Sequence, residues 1–192
     1  VGAKNEGKME KTAIKKLLQI NCSDGGSTGG IMHSIAARVQ QHGYECHMLC
    51  APPRPGESRG DDVVCLGNPL ECGVQRKLNK FTGNYGQGFP LATRQLIQEL
   101  ERFAPDIVQL HNLHHQFFDL KTLFCYLKKK QIPTVWTLHD CWPLTGHCAH
   151  YMMNGCERWK TGCGKCPDLQ HYPAIHRDTT ARLFAQKVAM YG

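Results

Sequence analysis

Short apolar runs alternate with longer stretches of helical periodicity along this chain. The apolar runs predict five β-strands, at Lys16–Ser23, Glu45–Cys50, Asp62–Gly67, Asp106–His111 and Pro133–Asp140. Apolar residues that recur every three or four positions predict four α-helices, at Ile31–His42, Leu91–Phe103, Leu120–Gln131 and Thr179–Met190. Strands that alternate with helices over short connections are typical of a parallel sheet covered on both faces. The predicted fold class is α/β, a Rossmann-like three-layer sandwich with a mostly parallel sheet.

The chain is expected to divide into a short tail and one domain with an insertion. Residues 1–14 are polar and predict a tail that is disordered or a remnant of cloning. Residues 15–192 predict the domain, and residues 141–173 predict a cysteine-rich insertion within it. Residues 68–89 are rich in glycine and polar side chains and predict a long surface excursion. No run of about 18 apolar residues occurs, so no membrane-spanning segment is predicted.

Three polar segments follow predicted strands and are expected to meet at one edge of the sheet. They are the turn at Gly25–Gly30, the pair His111-Asn112 and the pair His139-Asp140. Right-handed crossovers bring the carboxyl ends of parallel strands to a common edge, which we call the rim. Open α/β sheets hold their ligands at this edge. The rim is therefore the predicted site.

The glycine turn is a candidate phosphate cradle, and its residues are Gly26, Ser27, Thr28, Gly29 and Gly30. Backbone N–H groups at the start of a helix suit an anion. The spacing is not G-x-G-x-x-G, and Ile31 stands where a P-loop has lysine. The second strand ends in Ala51-Pro52-Pro53 without an acid for a ribose hydroxyl, so no NAD is predicted. A tight turn for close helix packing is the alternative.

Histidines after two strands are the candidate chemical groups. His139 can hydrogen-bond a ligand hydroxyl, and Asp140 can orient its ring. The pair His111-Asn112 is a candidate for the same site because it follows another strand. For His139-Asp140 the alternative is strand termination by two polar residues, and for His111-Asn112 it is a polar loop with surface imidazoles. The next two imidazoles, His114 and His115, are predicted to lie in a polar surface loop.

Four of the eleven cysteines form a candidate zinc site: Cys148, Cys156, Cys163 and Cys166. The CxxC spacing of the last two can bring both thiolates onto one tetrahedral zinc ion. Four thiolates leave no open position, so the predicted zinc is structural. Substitute ligands are Cys141, His147 and His150. Free thiols and disulfides are the alternatives. The cysteines outside this loop are predicted to be small buried hydrophobic residues in a reducing cytosol.

The net charge favours anionic partners. The chain carries 23 lysine and arginine residues against 16 aspartate and glutamate residues, a formal charge of +7. Such a surface attracts phosphates, nucleic acid or an anionic membrane. Two alternative functions are a zinc-stabilised Rossmann-like binding module for nucleic acid or another anionic ligand, and a nucleotide-binding oxidoreductase. The cysteines follow a strand instead of framing a basic helix, so no nucleic acid partner is expected.

Four segments in order resemble the N-terminal domain of a family 4 glycosyltransferase with the GT-B fold. They are the first strand with its glycine turn, Pro105-Asp-Ile-Val-Gln-Leu-His-Asn112, Pro133-Thr-Val-Trp-Thr-Leu-His-Asp140 and Cys141-Trp-Pro-Leu-Thr-Gly-His-Cys148. The last segment, together with Cys163-Gly-Lys-Cys-Pro167, resembles a bacterial subset that builds capsular polysaccharides or exopolysaccharides. The resemblance covers most of residues 15–190.

This resemblance implies the retaining transfer of a sugar from a nucleotide-sugar donor to a glycan or lipid-linked acceptor. It implies that His139, with Asp140 beside it, is catalytic and contacts the donor sugar, and that Gly29-Gly30 lie near the diphosphate. The pair His111-Asn112 would lie on the acceptor side. The implied location is cytoplasmic, at the inner face of the plasma membrane. The second domain, which holds the nucleotide and an E-x7-E motif, is missing from these residues, so the fragment alone is expected to be inactive.

Overall fold

Five parallel strands form one sheet in the computed structural model, which describes residues 15–191. The strands are β1 Lys16–Asn21, β2 Glu45–Cys50, β3 Val63–Cys65, β4 Ile107–Leu110 and β5 Thr134–Trp136. They lie in the order β3-β2-β1-β4-β5, and every adjacent pair is parallel. The order reverses between β1 and β4, which is the switch point of a Rossmann-like fold. The predicted fold class is confirmed, and the tail predicted at 1–14 lies outside the described residues.

The helices that accompany the sheet are α1 Gly26–Gln41, α2 Pro69–Thr82, α3 Pro90–Phe103, α4 Leu120–Lys130 and α5 Thr180–Tyr191. α2 begins where it does because Asn68 accepts a hydrogen bond from the Glu71 N–H at 2.8 Å and proline suits the first helical position. Asp119 caps α4 in the same way through the Thr122 N–H, at 2.8 Å. No helix among residues 15–191 is both long and apolar enough to cross a bilayer.

The two faces of the sheet are covered differently. Leu18 and Ile20 of β1 are fully buried with side chains of α3 and α4 in the larger core cluster. Met32 of α1 packs with β2 in a smaller cluster on the other face. Side chains alternate along a strand, so Gln19 and Asn21 of β1 are buried on the α1 side. These two buried amides lie beneath the rim and organise it.

The structure differs from the sequence prediction in three places near the site. The segment 68–89, predicted as an irregular surface excursion, holds the helix α2, whose large apolar side chains face away from the core while Cys72 is buried in it. α1 begins at Gly26, so the glycine turn forms the first turn of the helix instead of a loop before Ile31. β5 ends at Trp136, so the pair His139-Asp140 lies beyond the strand.

Residues 141–173, which we call the Cys segment, contain no strand and no α-helix. They hold three short 3-10 turns, at Trp142–Leu144, Tyr151–Asn154 and Arg158–Lys160. α5 fixes the start of the segment, since the Lys187 ammonium donates to the carbonyls of Trp142 at 2.6 Å and Thr145 at 3.0 Å. The same ammonium lies 3.5 Å from the centroid of the Trp142 ring. Burial lowers the pKa of Lys187 to about 7.

Candidate functional site

The rim brings together residues from three distant parts of the sequence. Ile20 of β1 lies opposite Leu110 of β4, so the residues that follow them, Asn21 and His111, end side by side. β5 pairs with β4 on its other side and carries residues 137–140 to the same edge. The glycine turn follows β1 directly. The predicted meeting of these segments at one edge is present in the structure.

Asn21 connects the parts of the rim through one buried amide. Its Oδ1 accepts hydrogen bonds from the backbone N–H groups of Cys22 at 2.9 Å and Asn112 at 3.3 Å. Its Nδ2 donates to the Thr28 hydroxyl in the first turn of α1 at 3.3 Å. Sequence analysis missed Asn21. The signal was a polar residue at the last position of an otherwise buried strand.

A line of hydrogen bonds crosses the sheet from Gln19 through His111 to His139. Gln19 Nε2 donates to the Met32 carbonyl at 3.0 Å, which turns Gln19 Oε1 toward His111 Nε2, also at 3.0 Å. His111 Nε2 must then carry the proton, and His111 Nδ1 accepts from His139 Nε2 at 3.0 Å. On the half-buried His139 ring, the other nitrogen, Nδ1, is then left as a hydrogen-bond acceptor.

Burial keeps His111 neutral. His111 is almost fully enclosed, and burial together with the nearby His139 lowers its pKa to about 4. The two imidazole planes are inclined by only 12°, with centroids 5.3 Å apart. At neutral pH, His111 is therefore a fixed hydrogen-bond acceptor that sets the orientation of His139.

Asp140 faces His114 instead of orienting His139 as predicted. Its Oδ1 accepts from the Trp142 N–H at 2.8 Å, and its Oδ2 lies 3.3 Å from His114 Nδ1. Burial raises the pKa of the Asp140 carboxyl, but the contacts with His114 and the Trp142 N–H outweigh it and lower the pKa overall. Asp140 is thus an ionised group beside His114, and His111 is the partner that orients His139.

His114 and His115 lie inside the rim and not in the predicted surface loop. The Tyr172 hydroxyl lies 2.8 Å from His114 Nε2 and 3.0 Å from His115 Nε2. Arg54 Nη2 lies 3.3 Å from the same nitrogen of His115. Burial, followed by the charges of His114 and Arg54, lowers the pKa of His115 to about 3. A polar line therefore runs from Asp140 to Arg54 through two imidazoles and a phenol.

This cluster also has the spacing of a metal site. Cys22, His114 and His115 each bring one ligand atom to within 4.8 Å of the others, and no other such group occurs in residues 15–191. The donors are already engaged, because the Tyr172 hydroxyl bonds to both imidazoles and the Arg54 guanidinium adds positive charge. Burial raises the pKa of the Cys22 thiol to about 11. The cluster suits a hydrogen-bonded relay better than a cation.

The first turn of α1 presents backbone N–H groups at the rim. Gly25 is the N-cap residue and makes no side-chain cap, so the donors of this turn are not taken by one. Gly26 has a φ of +69°, which favours glycine. A β-carbon on Gly29 would approach the backbone of Asp24 to 2.1 Å. The glycines therefore allow the turn and its close approach to the β1 end.

Two arginines add positive charge beside the rim. Arg76 Nε donates to the backbone carbonyls of His115 at 3.0 Å and Gln116 at 3.2 Å, in the loop that follows β4. Arg54 contacts the His115 ring from the exposed side. Within the part of the chain that the structure describes, neither guanidinium forms an ion pair with a carboxylate. Two such cations at one edge favour an anionic ligand.

The four predicted zinc ligands lie near one another in the Cys segment as free thiols. Burial raises the pKa of Cys148, Cys163 and Cys166, and charge interactions that join every pair among these three and Cys156 add to the rise. The Cys163 sulfur also accepts a hydrogen bond from the Gly146 N–H at 3.1 Å. The four residues thus lie in one segment and interact electrostatically, and the zinc site stays a prediction.

His147, a substitute ligand in the sequence analysis, contacts this cluster. Its Nδ1 donates to the Pro173 carbonyl at 3.2 Å, so a neutral ring presents a bare Nε2 to the Cys166 sulfur at 3.3 Å. Burial lowers the pKa of His147, which favours that neutral ring. Thiols and a neutral imidazole are the donors that zinc prefers. No three of these ligand atoms lie within 4.8 Å of one another among the described residues, so a bound ion would draw them closer.

The family model for Glycosyltransferase Family 4 matches residues 30–169. WcaC of Escherichia coli (strain K12), a glycosyl transferase named for colanic acid biosynthesis, is 38% identical over 114 residues, which are 57% of this chain and 26% of that protein. No solved structure matches the chain with significance. Because the family model spans most of the sequence, including β2 to β5 of the sheet, the chain belongs to glycosyltransferase family 4.

Proposed function

We propose that this chain is the acceptor-side half of a retaining glycosyltransferase of bacterial polysaccharide biosynthesis. The enzyme would move a sugar from a nucleotide-sugar donor to a glycan or lipid-linked acceptor. The observation that carries the proposal is the line from Gln19 through His111 to His139, which starts at the switch point of a family 4 domain and ends in an oriented imidazole beside it. The relative named for colanic acid biosynthesis supports the polysaccharide pathway.

His139 is proposed to contact the donor sugar. Its Nε2–H is held by His111, so its Nδ1 can accept a hydrogen bond from a sugar hydroxyl. Asp140 is proposed to act beside it, as a negative charge that holds His114 and the start of the Cys segment in place. The N–H groups of Gly26, Ser27 and the residues after them are proposed to face the donor diphosphate at the start of α1.

The acceptor is proposed to be anionic near its reacting end. Arg54 and Arg76 lie beside His115, and in the described residues 15–191 neither forms an ion pair with a carboxylate. A lipid diphosphate matches this charge, and it would bring the enzyme to the inner face of the plasma membrane from the cytoplasm. The pair His111-Asn112 would lie between this charge and the donor. The oxidoreductase alternative is not favoured, since β2 runs into Ala51-Pro52-Pro53 without an acid for a ribose.

A second domain is proposed to hold most of the nucleotide. The matched region is about a quarter of the E. coli relative, 26% of its length, so most of that protein lies outside the match. The nucleotide-sugar domain of the GT-B fold would account for the largest part of the remainder. The cleft between the two domains would then close over the rim.

A structural zinc ion is proposed for the Cys segment. Cys148, Cys156, Cys163 and Cys166 would hold it, with the His147 ring against Cys166. Zinc would supply no chemistry to sugar transfer, because four protein ligands leave no open position. It would stabilise a segment that has no strand and no α-helix of its own.

Sugar transfer by the full-length enzyme tests the function. Transfer of radiolabelled sugar from UDP- and GDP-linked hexoses to a polyprenyl-diphosphate-linked acceptor should be detectable. His139→Ala should lower kcat/KM about 100-fold, the usual loss for one positioned polar group in an active site. His42→Ala, at an exposed position after α1, is the matched control and should be neutral. The 192 residues alone should show no transfer. Full activity of His139→Ala would contradict the assignment.

A further inference from the structure

The outer surface of α2 carries large apolar side chains that do not pack against the rest of the domain. Leu70, Val74, Leu78 and Phe81 are 77%, 59%, 51% and 81% exposed. Their spacing of four, four and three residues places them on one side of the helix. A helix of 14 residues presents this stripe over roughly 20 Å. We call it the α2 stripe.

The opposite side of α2 packs on the domain through Cys72, which is buried in the larger core cluster, and through polar contacts. Asn79 is buried, and its Nδ2 donates to the Gln87 carbonyl at 3.0 Å and to Gln116 Oε1 at 2.9 Å. Arg76 Nε donates to the carbonyls of His115 and Gln116. Both anchors reach the loop after β4. The α2 stripe therefore points directly away from the domain, and the rim loop lies on the inner side of the same helix.

The charges on α2 are sorted between these two sides. Lys77 and Lys80 are exposed beside the apolar stripe. The single acid of the helix, Glu71, is turned inward, where its carboxylate accepts from the N–H groups of Leu91 at 2.7 Å and Ala92 at 3.1 Å at the start of α3. The outer side is thus apolar and cationic, with no acid. Large apolar side chains beside lysines are typical of helices that lie in the interface of an anionic membrane.

We propose that the α2 stripe inserts into the surface of an anionic lipid bilayer, with Lys77 and Lys80 at the level of the headgroups. Charge complementarity selects the bilayer, since the chain as a whole carries +7 and the exposed charged residues of α2 are both lysines. This inference rests on the proposed function, in which a lipid-linked acceptor would leave the bilayer beside α2. Because Arg76 on the inner side contacts the rim loop, the rim lies about one helix diameter, roughly 10 Å, from the membrane surface.

Vesicle flotation tests the inference. The chain is mixed with phosphatidylcholine vesicles that contain one quarter phosphatidylglycerol, and with pure phosphatidylcholine vesicles. The wild type should float with the anionic vesicles and much less with the neutral ones. Leu70→Gln combined with Phe81→Gln should reduce the partition coefficient at least 10-fold. Lys77→Gln combined with Lys80→Gln should remove the preference for anionic lipid. The matched control, Leu91→Gln combined with Val188→Gln, changes exposed apolar residues on α3 and α5 and should float like the wild type.

A fluorescent probe gives an independent readout. Phe81→Trp should show a blue-shifted emission on anionic vesicles, and Leu91→Trp should not. Circular dichroism of each variant separates lost binding from lost folding. The inference is overturned if the stripe variant floats like the wild type. It is also overturned if the wild type does not float and sedimentation shows a dimer that the stripe variant abolishes, because the surface is then an interface between copies.

Failure of this inference is separable from failure of the proposed function. The full-length enzyme with the paired glutamine substitutions at 70 and 81 should still transfer sugar to a detergent-dispersed acceptor, and should lose transfer to the same acceptor in vesicles. Equal rates on both acceptors would overturn membrane docking by α2 while leaving sugar transfer in place. If the wild-type enzyme transferred sugar to neither acceptor, that result would instead contradict the proposed function.

Discussion

Gly29 lies in the first turn of α1, where a β-carbon would approach the carbonyl carbon and oxygen of Asp24 to 2.1 Å. Backbone atoms cannot move aside cheaply, so Gly29→Ala should lower the free energy of unfolding by about 1–3 kcal/mol. Gly30→Ala is the matched control, because a β-carbon there meets nothing within 4 Å, and alanine favours the helix by up to about 1 kcal/mol. Urea denaturation of both variants measures the difference. Equal stability of the two would show that the turn does not need the close approach.

The buried His111 predicts a pH dependence of stability. Its pKa is about 4 in the folded protein and about 6.5 in the unfolded chain, so the unfolded state binds the proton first as the pH falls. Acidification from pH 6.5 to pH 4 should therefore cost about 3 kcal/mol of stability through this residue. Urea denaturation of the wild type and His111→Gln at both pH values measures it.

In that experiment the variant should lose less stability than the wild type on acidification. His42→Gln changes an exposed histidine and should retain the full dependence. If the wild type and His111→Gln lost the same stability, the buried neutral imidazole would be ruled out as the cause.

Individual rim residues differ in how visible they are in the sequence. His139 and His111 follow apolar runs as polar residues, so their position at the rim could be predicted. Gln19 and Asn21 lie within the first strand, and nothing local shows that they hydrogen-bond to β4 and α1 instead of ending the strand. Tyr172 lies in the Cys segment, and only tertiary packing brings it to His114.

At the scale of elements, the Cys segment predicts a metal requirement. The purified chain should contain about one zinc ion, with four thiols protected from a thiol reagent until a chelator is added. Chelation should lower the melting temperature. Cys163→Ala should lose the metal, whereas Cys125→Ala, at an exposed position on α4, should retain it. Elemental analysis and thiol titration measure these outcomes.

Two results would contradict the zinc site. All eleven thiols reacting at once, without metal, would reduce the Cys segment to an ordinary loop held by Lys187. Fewer free thiols without metal would indicate disulfides and a different redox compartment. The prediction belongs to this scale because the zinc would stabilise one segment and not the sheet.

α2 shows where pattern analysis of an element fails. Its start carries a clear signal, since Asn68 caps it and Pro69 takes the first position. Its large apolar residues do recur at helical spacing, but they face outward, and the inner side is held by the small Cys72 together with Asn79 and Arg76. Sequence analysis looks for an apolar helix face that could pack on the core, and it therefore describes residues 68–89 only as polar and rich in glycine. Because its large apolar side chains face outward, the α2 stripe also indicates a binding partner.

At the scale of the whole molecule, the sheet order determines which residues can act together. β1 lies between β2 and β4, so the glycine turn lies beside the end of β4, while the residues after β5 come in from the far side. Residues about 90 positions apart, such as Gln19 and His111, meet at 3.0 Å. α2 flanks the rim on one side, through the contacts of Arg76 with His115 and Gln116. A sugar acceptor that leaves a membrane beside α2 would meet Arg54 and Arg76 before it reaches His139.

The sequence by itself determined the class of fold, the polar rim and the family resemblance. These depend on local periodicity, on turn residues and on short motifs, all of which can be recognised without knowing which distant residues are in contact. Tertiary structure alone decided that His111 orients His139, that Asp140 pairs with His114, and that the apolar side of α2 faces outward. Each of these depends on hydrogen bonds or packing between residues far apart in the chain, and local pattern holds no information about which buried polar group will find which partner.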